Sequence, residues 1–204
     1  MKKVLLYGAS GHAKVICSIL ESIDVIVFSI FDDNNSIHTL NKYKVINGYD
    51  VNYEPHLSML ISIGDNYTRK RISEIVTHSF YTAIHSSSII DDISKVGLGS
   101  AIFHSVTIQR DTIIGKHCII NTNATVDHDC VINDFVHISP SVTLCGNVKI
   151  GEGTHVGAGA TIIPNIRIGK WCVIGAGAVI TKDIPDYSLV VGIPGKIIKT
   201  IKND

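Results

Sequence analysis

Aliphatic residues recur at every sixth position through the second half of the chain. The series begins at Ile84, ends at Ile180 and is unbroken over seventeen positions. A period of six matches neither an α-helix nor an alternating β-strand, but it is typical of a β-solenoid in which each short face contributes one inward aliphatic side chain. Three such faces make one triangular coil, so the pattern predicts a parallel β-helix of roughly five to six coils between about residues 84 and 182.

Small or aliphatic residues follow four positions after these inward residues. We expect them to pack where the chain turns its corners, and three of the five cysteines occupy such positions. Those three cysteines are therefore expected to serve packing rather than chemistry. The positions concerned are Val106, Thr112, Cys118, Ala124, Cys130, Val136, Val142, Val148, Ala160 and Cys172.

A second period, of 18 residues, is superimposed on the first. Glycine or asparagine comes one position after every third inward aliphatic, at Gly97, Gly115, Asn133, Gly151 and Gly169. Both residue types tolerate a positive φ. We therefore expect one corner of each coil to use a left-handed backbone conformation at these positions.

The first third of the chain has a different pattern, in which short apolar runs alternate with amphipathic segments. We predict strands at VLLY (4–7), VIVFSIF (25–31) and MLISIGDN (59–66), a helix over AKVICSILES (13–22), and a second helix that ends near Thr77. Alternation of strand and helix favours a small parallel α/β sheet.

Two domains are therefore expected. Residues 1–80 form a Rossmann-like domain, and residues 81–204 form the β-helix with a C-terminal tail. The segment 34–58 has no regular pattern, and no element is predicted there.

The composition indicates a soluble protein rather than one that binds nucleic acid or a membrane surface. Lysine plus arginine and aspartate plus glutamate both total 18, so the formal net charge is zero, and the longest basic run is RKR at 69–71. No apolar stretch approaches the roughly 18 residues of a membrane span, and the N-terminal apolar run is too short for a targeting segment. Five cysteines without CxxC spacing favour reduced thiols and a cytoplasmic location.

The turn GASGH (8–12) joins the first predicted strand to the first helix. Its backbone amides and the helix N-terminus can hold a phosphate, and Asp32 at the end of the next strand can bind a ribose hydroxyl. The full GxGxxG pattern is missing, and a domain of only about 80 residues favours a nucleotide part of a ligand over a redox dinucleotide. The alternatives are a purely structural turn, strand-end solvation by Asp32 and Asp33, and a solvent-exposed His12.

The string TVDHDC (125–130) places one histidine between two aspartates. Val126 and Cys130 occupy inward positions, so we expect His128 on the outside of the coil. A carboxylate from Asp127 or Asp129 would hold the imidazole in one tautomer and strengthen it as a base. A solvated surface histidine is the simpler alternative.

A zinc site is a third possibility, because His117, His128 and His137 lie on successive coils. Their offsets from the six-residue frame are three, two and five, so they do not occupy equivalent positions. We therefore expect no metal site.

Several stretches together resemble a known family. They are YGASGH, FDD, ISIGDN, VDHDCVINDFVHIS, CGNVKIG and VVGIPGK, in addition to the repeat. Over nearly its full length the chain resembles bacterial nucleotide-sugar acetyltransferases, which join a Rossmann-like domain to a left-handed parallel β-helix. This group includes UDP-amino-sugar N-acetyltransferases of bacillosamine-type pathways, GDP-perosamine N-acetyltransferase and sialic-acid O-acetyltransferase relatives. The repeat alone implies a broad acyltransferase superfamily, and YGASGH together with DHDC is more specific.

The resemblance implies roles for individual residues. His128 matches the family's general base, Asp129 the acid that raises its basicity, and Gly146 the amide donor to the thioester oxygen. Positions that bind the nucleotide sugar are matched by Ser10, Gly11, His12, Asp32, Asp33 and Gly64. The acetyl-CoA groove is matched by His137 and by the backbone of Gly146, Ala158 and Ala176.

Two positions depart from some relatives. Asp129 stands where they have glutamate, and Ala13 stands where they have glycine. The shorter acid changes the reach toward the base, and Ala13 changes the fit near the phosphates.

The activity implied by the resemblance is direct acetyl transfer from acetyl-CoA to the amine of a nucleotide-linked 4-amino-6-deoxy sugar, in surface glycan biosynthesis. The family is trimeric, and its acetyl-CoA groove lies between neighbouring β-helices. His128 would take the amine proton while a backbone amide stabilises the oxyanion, so neither a metal nor a cysteine nucleophile is required. O-acetylation of a sialic acid or related sugar, and a non-catalytic nucleotide-sugar-binding protein, are the alternatives.

Overall fold

A computed structural model describes residues 1–92 and 95–201 of the chain. A five-stranded N-terminal sheet with two helices is followed by a stack of two-residue strands and a C-terminal hairpin. The fold class predicted from the sequence, a Rossmann-like unit followed by a hexapeptide β-helix, is confirmed. The division between residues 80 and 81 stays a prediction.

The N-terminal sheet is parallel apart from one hairpin. Its elements are Lys3–Tyr7 (β1), Gly11–Glu21 (α1), Ile26–Asp32 (β2), Thr39–Leu40 (β3), Tyr43–Asn47 (β4), Ser58–Ile61 (β5) and Asn66–Ile75 (α2). The strand order is β3-β4-β2-β1-β5, with only β3 and β4 antiparallel among these strands. The segment 34–58, for which no element was predicted, therefore contributes β3 and β4 at the edge of the sheet.

The third predicted strand ends earlier than the sequence suggested. β5 stops at Ile61, and the residues that follow form the approach to α2. Asp65 caps this helix, because its side chain accepts a 2.8 Å hydrogen bond from the backbone N–H of Thr68.

Helix α1 lies between the N-terminal sheet and the first coils of the β-helix. Its buried face, which includes Ala13, Ile16 and Leu20, belongs to the same apolar cluster as Phe103 and Val106 of the β-helix. This continuous core fixes the turn before α1 against the side of the solenoid.

The β-helix consists of strands stacked in three faces. Every third strand pairs in parallel, so that Ile108, Val126 and Leu144 are stacked in register. The faces are β6-β9-β12-β15-β18-β21, β7-β10-β13-β16-β19-β22 and β8-β11-β14-β17-β20, and β23 and β24 extend the first. In chain order the strands β6 to β24 are Ala83–Ile84, Ile89–Ile90, Lys95–Val96, Ala101–Ile102, Thr107–Ile108, Ile113–Ile114, Ile119–Ile120, Thr125–Val126, Val131–Ile132, His137–Ile138, Thr143–Leu144, Lys149–Ile150, His155–Val156, Thr161–Ile162, Arg167–Ile168, Val173–Ile174, Val179–Ile180, Ser188–Val191 and Lys196–Thr200.

The six-residue period describes the interior correctly. From Ile102 onward, the second residue of every strand of the repeat is buried, as are the small corner residues, including Cys118, Cys130 and Cys172. These three cysteines are free thiols, and burial raises the pKa of each. They are packing residues, as predicted.

The expectation about left-handed corners was wrong in position. Positive φ occurs three residues after the inward aliphatic, on all three faces, and mostly at residues other than glycine, such as Asn123 and Phe135. Gly97 does not have a positive φ. It is required because a Cβ there would lie 2.5 Å from the carbonyl carbon of Gly115 on the next coil. Close approach of coils, rather than backbone conformation, therefore explains the 18-residue glycine period.

Within the described ranges, no helix combines the length and the apolar character needed to span a bilayer.

Candidate active site

His128 lies at the corner between β13 and β14. Val126 before it and Cys130 after it are buried in the coil, so the chain presents the two residues between Asp127 and Cys130 to solvent. The side chain of His128 is 59% exposed. The outward placement predicted from the repeat is confirmed.

The two flanking aspartates hold His128 from opposite ends. Its Nδ1 lies 2.7 Å from Oδ2 of Asp129, and its backbone N–H donates to Oδ1 of Asp127 at 2.8 Å. Because a carboxylate accepts from Nδ1–H, the other ring nitrogen, Nε2, carries the lone pair. The hydrogen bond to Asp129, and then the negative charge of Asp127, raise the pKa of His128 above its usual value.

Gly146 lies directly against this imidazole, one coil further along. A Cβ at Gly146 would lie 2.7 Å from both Cε1 and Nε2 of His128, so only glycine leaves room for the ring. The backbone N–H of Gly146 donates to no acceptor within residues 1–92 and 95–201. A proton acceptor and an unused amide donor therefore lie side by side, which is the arrangement that acyl transfer requires.

The turn before α1 is held by the aspartates at the end of β2. Asp32 accepts from the N–H groups of Ala9 at 2.6 Å and Asn34 at 2.8 Å, and Asp33 accepts from the hydroxyl of Tyr7 at 2.8 Å. Both aspartates therefore have protein partners rather than solvent alone, and each retains further lone pairs for a ligand.

Ser10 and Gly11 stand at the start of α1 and are exposed. Ser10 occupies the N-cap position in an extended conformation, but its hydroxyl makes no capping hydrogen bond. The N–H of Ala13 donates to the carbonyl of Ser10 at 3.1 Å, which leaves the N–H groups of Gly11 and His12 and this hydroxyl available to an anion.

His12, Gly64 and His137 meet where the N-terminal sheet contacts the first face of the β-helix. The ring of His12 stacks on Phe103 at 5.3 Å and lies 6.2 Å from the ring of His137. Gly64 lies beside His12, and its carbonyl oxygen is 3.3 Å from Nδ1 of His137. The structure therefore brings these three predicted residues together.

His12 and His137 differ in how their nitrogens are used. Nδ1 of His137 donates to Gly64, and Nε2 accepts from the side-chain amide of Asn121 at 3.1 Å. Nε2 of His12 is buried and has no hydrogen-bond partner among the residues that the structure describes. Burial, with the charge of Arg69 as a further cause, lowers the pKa of His12 to about 4. Burial, and then His155, Arg69 and His12, lower the pKa of His137 to about 3.

Sequence reasoning missed two polar residues at the same junction, Asn66 and Arg69 of α2. Both are buried, and the side chain of Arg69 donates five hydrogen bonds. Because four of its acceptors are backbone carbonyls, no pattern of side chains along the chain could have identified the contact.

Ala158 and Ala176 occupy equivalent exposed corners on adjacent coils of the first face, away from the corner of His128. Beside that face, a cavity of about 330 Å³ is lined by residues that include Tyr67, His137, His155 and Trp171. No hydrogen bond, ion pair or ring contact among the described residues joins His128 to the group of His12, Gly64 and His137.

The histidines considered for zinc do not converge. The ring of His117 stacks on Phe135 and meets Phe80 edge-on, whereas His128 is exposed at a different corner. Among the residues that the structure describes, no three His, Cys, Asp or Glu side chains form a group that could hold a metal ion.

Two family models match the chain. The PglD N-terminal domain matches residues 3–76, and the bacterial transferase hexapeptide, described as six repeats, matches residues 129–163 and 147–182. No curated protein sequence matches the chain significantly.

Solved structures resemble the chain over its whole length. A histidine variant of perosamine N-acetyltransferase from Caulobacter crescentus, in complex with CoA and GDP-perosamine, is 33% identical with a TM-score of 0.91, and the match covers 100% of this chain and 98% of that one. The acetyltransferase domain of PglB from Neisseria gonorrhoeae FA1090, in complex with acetyl coenzyme A, is 31% identical with a TM-score of 0.90 and coverage of 97% and 99%. WeeI from Acinetobacter baumannii AYE is 26% identical with a TM-score of 0.79 and coverage of 97% and 100%.

These matches confirm the acetyltransferase activity and the resemblance inferred from the sequence. The chain therefore belongs to the family of hexapeptide-repeat acetyltransferases that carry a PglD N-terminal domain.

Proposed function

We propose that this protein transfers the acetyl group of acetyl-CoA to the amine of a nucleotide-linked 4-amino-6-deoxy sugar, in surface glycan biosynthesis. The observation that carries the proposal is the 2.7 Å hydrogen bond from Nδ1 of His128 to Asp129, which leaves Nε2 as a proton acceptor beside the unused amide of Gly146. Support for the substrate class comes from the Caulobacter crescentus relative, which holds CoA and GDP-perosamine.

The reaction follows from these groups. The sugar amine attacks the thioester carbonyl carbon, and Nε2 of His128 accepts the proton that the amine loses. The N–H of Gly146 donates to the carbonyl oxygen as negative charge develops there. The C–S bond then breaks, the amide is complete, and the proton on His128 passes to the departing thiolate. Asp129 stabilises the imidazolium in the interval.

The remaining predicted residues hold the two substrates. Unused donors at Ser10 and Gly11 suit the diphosphate, and His12 follows them in the first turn of α1. Asp32, Asp33 and Gly64 complete the proposed nucleotide-sugar site. The proposed acetyl-CoA groove includes His137, Gly146, Ala158 and Ala176.

We further propose a homotrimer that works in the cytoplasm. No contact among the described residues joins His128 to the group of His12, Gly64 and His137, so a neighbouring copy can bring one to the other. The five free cysteines suit a reducing compartment, which also supplies acetyl-CoA.

The test is thiol release from acetyl-CoA with a panel of UDP- and GDP-linked 4-amino sugars, and with sialic acid as the hydroxyl acceptor. We expect turnover with an amino sugar and a loss of roughly a hundredfold to ten-thousandfold in His128→Ala. His56→Ala is the matched control, because His56 is also exposed beside an acidic residue, Glu54. Full activity in His128→Ala would exclude the assigned base, and turnover with sialic acid alone would replace N-acetylation by O-acetylation.

A further inference from the structure

Arg69 is a buried cation that forms no ion pair with any residue in the described ranges. Its side chain is 1% exposed and its acceptors are all uncharged. An isolated buried charge is strongly destabilising unless its hydrogen-bond donors are satisfied. All five N–H groups of this guanidinium are used, which is the full donor capacity of an arginine.

The acceptors of Arg69 belong to two parts of the molecule. Nη1 donates to the carbonyls of Ile63 and Gly64, both at 3.1 Å, in the loop between β5 and α2. Nε donates to His117 at 2.8 Å and Nη2 to Phe135 at 2.9 Å, which are equivalent corner carbonyls on adjacent coils. One planar group therefore ties the loop directly to the β-helix.

Asn66 extends this contact by one more coil. It accepts from Nη2 of Arg69 at 2.7 Å, and its own amide donates to the carbonyl of Gly153 at 3.0 Å. His117, Phe135 and Gly153 are separated by one coil each and all have a positive φ. The left-handed corners of three successive coils thus present a row of carbonyls, and side chains of α2 donate hydrogen bonds to them.

Gly64 is the point at which this contact reaches the proposed active site. Its carbonyl oxygen accepts hydrogen bonds from Nη1 of Arg69 and Nδ1 of His137, and its Cα lies beside the ring of His12. A shift of the loop would therefore displace His12 relative to a bound sugar and His137 relative to bound acetyl-CoA.

We propose that Arg69 is a positioning residue for acetyl transfer, because its guanidinium fixes the Ile63–Gly64 loop on the β-helix and so sets the positions of His12 and His137. The inference rests on the proposed function for its catalytic meaning. It adds an electrostatic consequence: burial, with the fixed charge of Arg69 as a further cause, keeps both imidazoles neutral. His12 is faced by Arg69 and His137, and His137 by His155, Arg69 and His12, while Asp65 at the cap of α2 opposes the charge of Arg69.

Two substitutions separate the hydrogen-bonding geometry of the guanidinium from its charge. Arg69→Met removes the hydrogen bonds and the charge, whereas Arg69→Lys keeps the charge but loses the planar fork and two of the five donors. Arg71→Met is the matched control, since Arg71 lies on the same helix and is exposed. Kinetics with the accepted amino sugar and NMR titration of the histidine Cε1–H signals are measured for each protein.

We expect KM for the nucleotide sugar to rise roughly tenfold or more in both Arg69 variants, with a smaller change in kcat. In Arg69→Met the pKa values of His12 and His137 should rise by roughly half a unit or more, whereas Arg69→Lys should keep them low. A role confined to stability would lower Tm without moving KM or the histidine titrations.

Unchanged KM in folded Arg69→Lys would overturn the positioning role, and this holds even if Arg69→Met does not fold. Unchanged titrations in folded Arg69→Met would overturn the electrostatic part. If the wild-type protein acetylates no amino sugar, the proposed function fails, but the NMR titration still decides whether Arg69 controls the two histidines.

Discussion

At the scale of single residues, the same side chain has opposite properties in two parts of the molecule. His128 is exposed between two carboxylates, and its pKa is raised. His12 and His137 are enclosed near a buried guanidinium, and their pKa values fall to about 4 and about 3. Near neutral pH only the first can exchange a proton readily, so the environment, not the residue type, selects the base.

Asp129→Asn tests how the carboxylate acts on this base. Asp129 has a φ of 60°, which asparagine tolerates as well as aspartate, so the substitution removes charge without adding backbone strain. A base must be unprotonated, so kcat/KM falls as pH falls through the pKa of His128. Without the carboxylate that pKa decreases, and we expect the acid limb of the pH profile to move to lower pH. The plateau should fall, though by less than in His128→Ala.

The measurement is kcat/KM between about pH 5 and pH 9 for the wild type, Asp129→Asn and Asp127→Asn. Asp127 contributes less to the raised pKa, so its variant should show a smaller displacement of the acid limb. An acid limb that does not move in Asp129→Asn would mean that the carboxylate orients His128 without changing its pKa.

The residues that the sequence predicted and those it missed differ in one physical respect. The outward placement of His128 was predicted because the six-residue frame places Val126 and Cys130 inside and leaves the residues between them outside. Arg69 and Asn66 were missed because they bind main-chain carbonyls, whose positions depend on how the coils stack. Such main-chain partners cannot be predicted from the residue types along the chain.

At the scale of elements, the regular spacing of the β-helix was predictable but the reason for its glycines was not. The spacing of the inward aliphatic residues directly predicts how the strands stack. Glycine, by contrast, serves two purposes that look alike in a sequence: it permits positive φ, and it permits close approach. Gly159 has a φ of 66° and open space around it, whereas Gly151 has no positive φ but lies against the backbone of the next coil.

Alanine at these two positions should therefore cost different amounts. In Gly159→Ala the added methyl meets nothing, so only the left-handed conformation is penalised, by about 1 kcal/mol. In Gly151→Ala the methyl would lie 2.5 Å from the carbonyl oxygen of Gly169 and from the N–H nitrogen of Lys170, and backbone cannot move aside easily. We expect a loss of about 3 kcal/mol or more. Urea denaturation at one protein concentration compares them, and an equal loss would contradict the steric explanation.

At the scale of the whole molecule, the two predicted domains share buried polar groups as well as an apolar core. Helix α1 packs on the first coils, and α2 is tied to the corners of later coils by Arg69 and Asn66. His12, His117 and His137 all lie along this junction, and all have lowered pKa values. Joining the N-terminal sheet to the β-helix therefore encloses several imidazoles in neutral form.

This arrangement predicts a protein that loses stability in mild acid. The unfolded chain takes up a proton on each histidine near pH 6.5, whereas the folded chain does so only near pH 4 for His12 and His117 and near pH 3 for His137. Between these limits the unfolded state binds more protons, so stability is full above pH 6.5 and declines as pH falls. Each histidine contributes at most about 1.4 kcal/mol per pH unit.

His117→Phe isolates one of these contributions. The ring of His117 packs between Phe80 and Phe135, and its Nδ1 has no partner within the described part of the chain. The equivalent corners of later coils carry Phe135 and Trp171. A phenyl ring should therefore fit without losing a hydrogen bond. Measured as Tm from about pH 7.5 to pH 4.5 at constant protein concentration, the decline should be shallower in His117→Phe than in the wild type. Identical slopes would show that His117 does not take part in the acid transition, and that the decline arises from other groups.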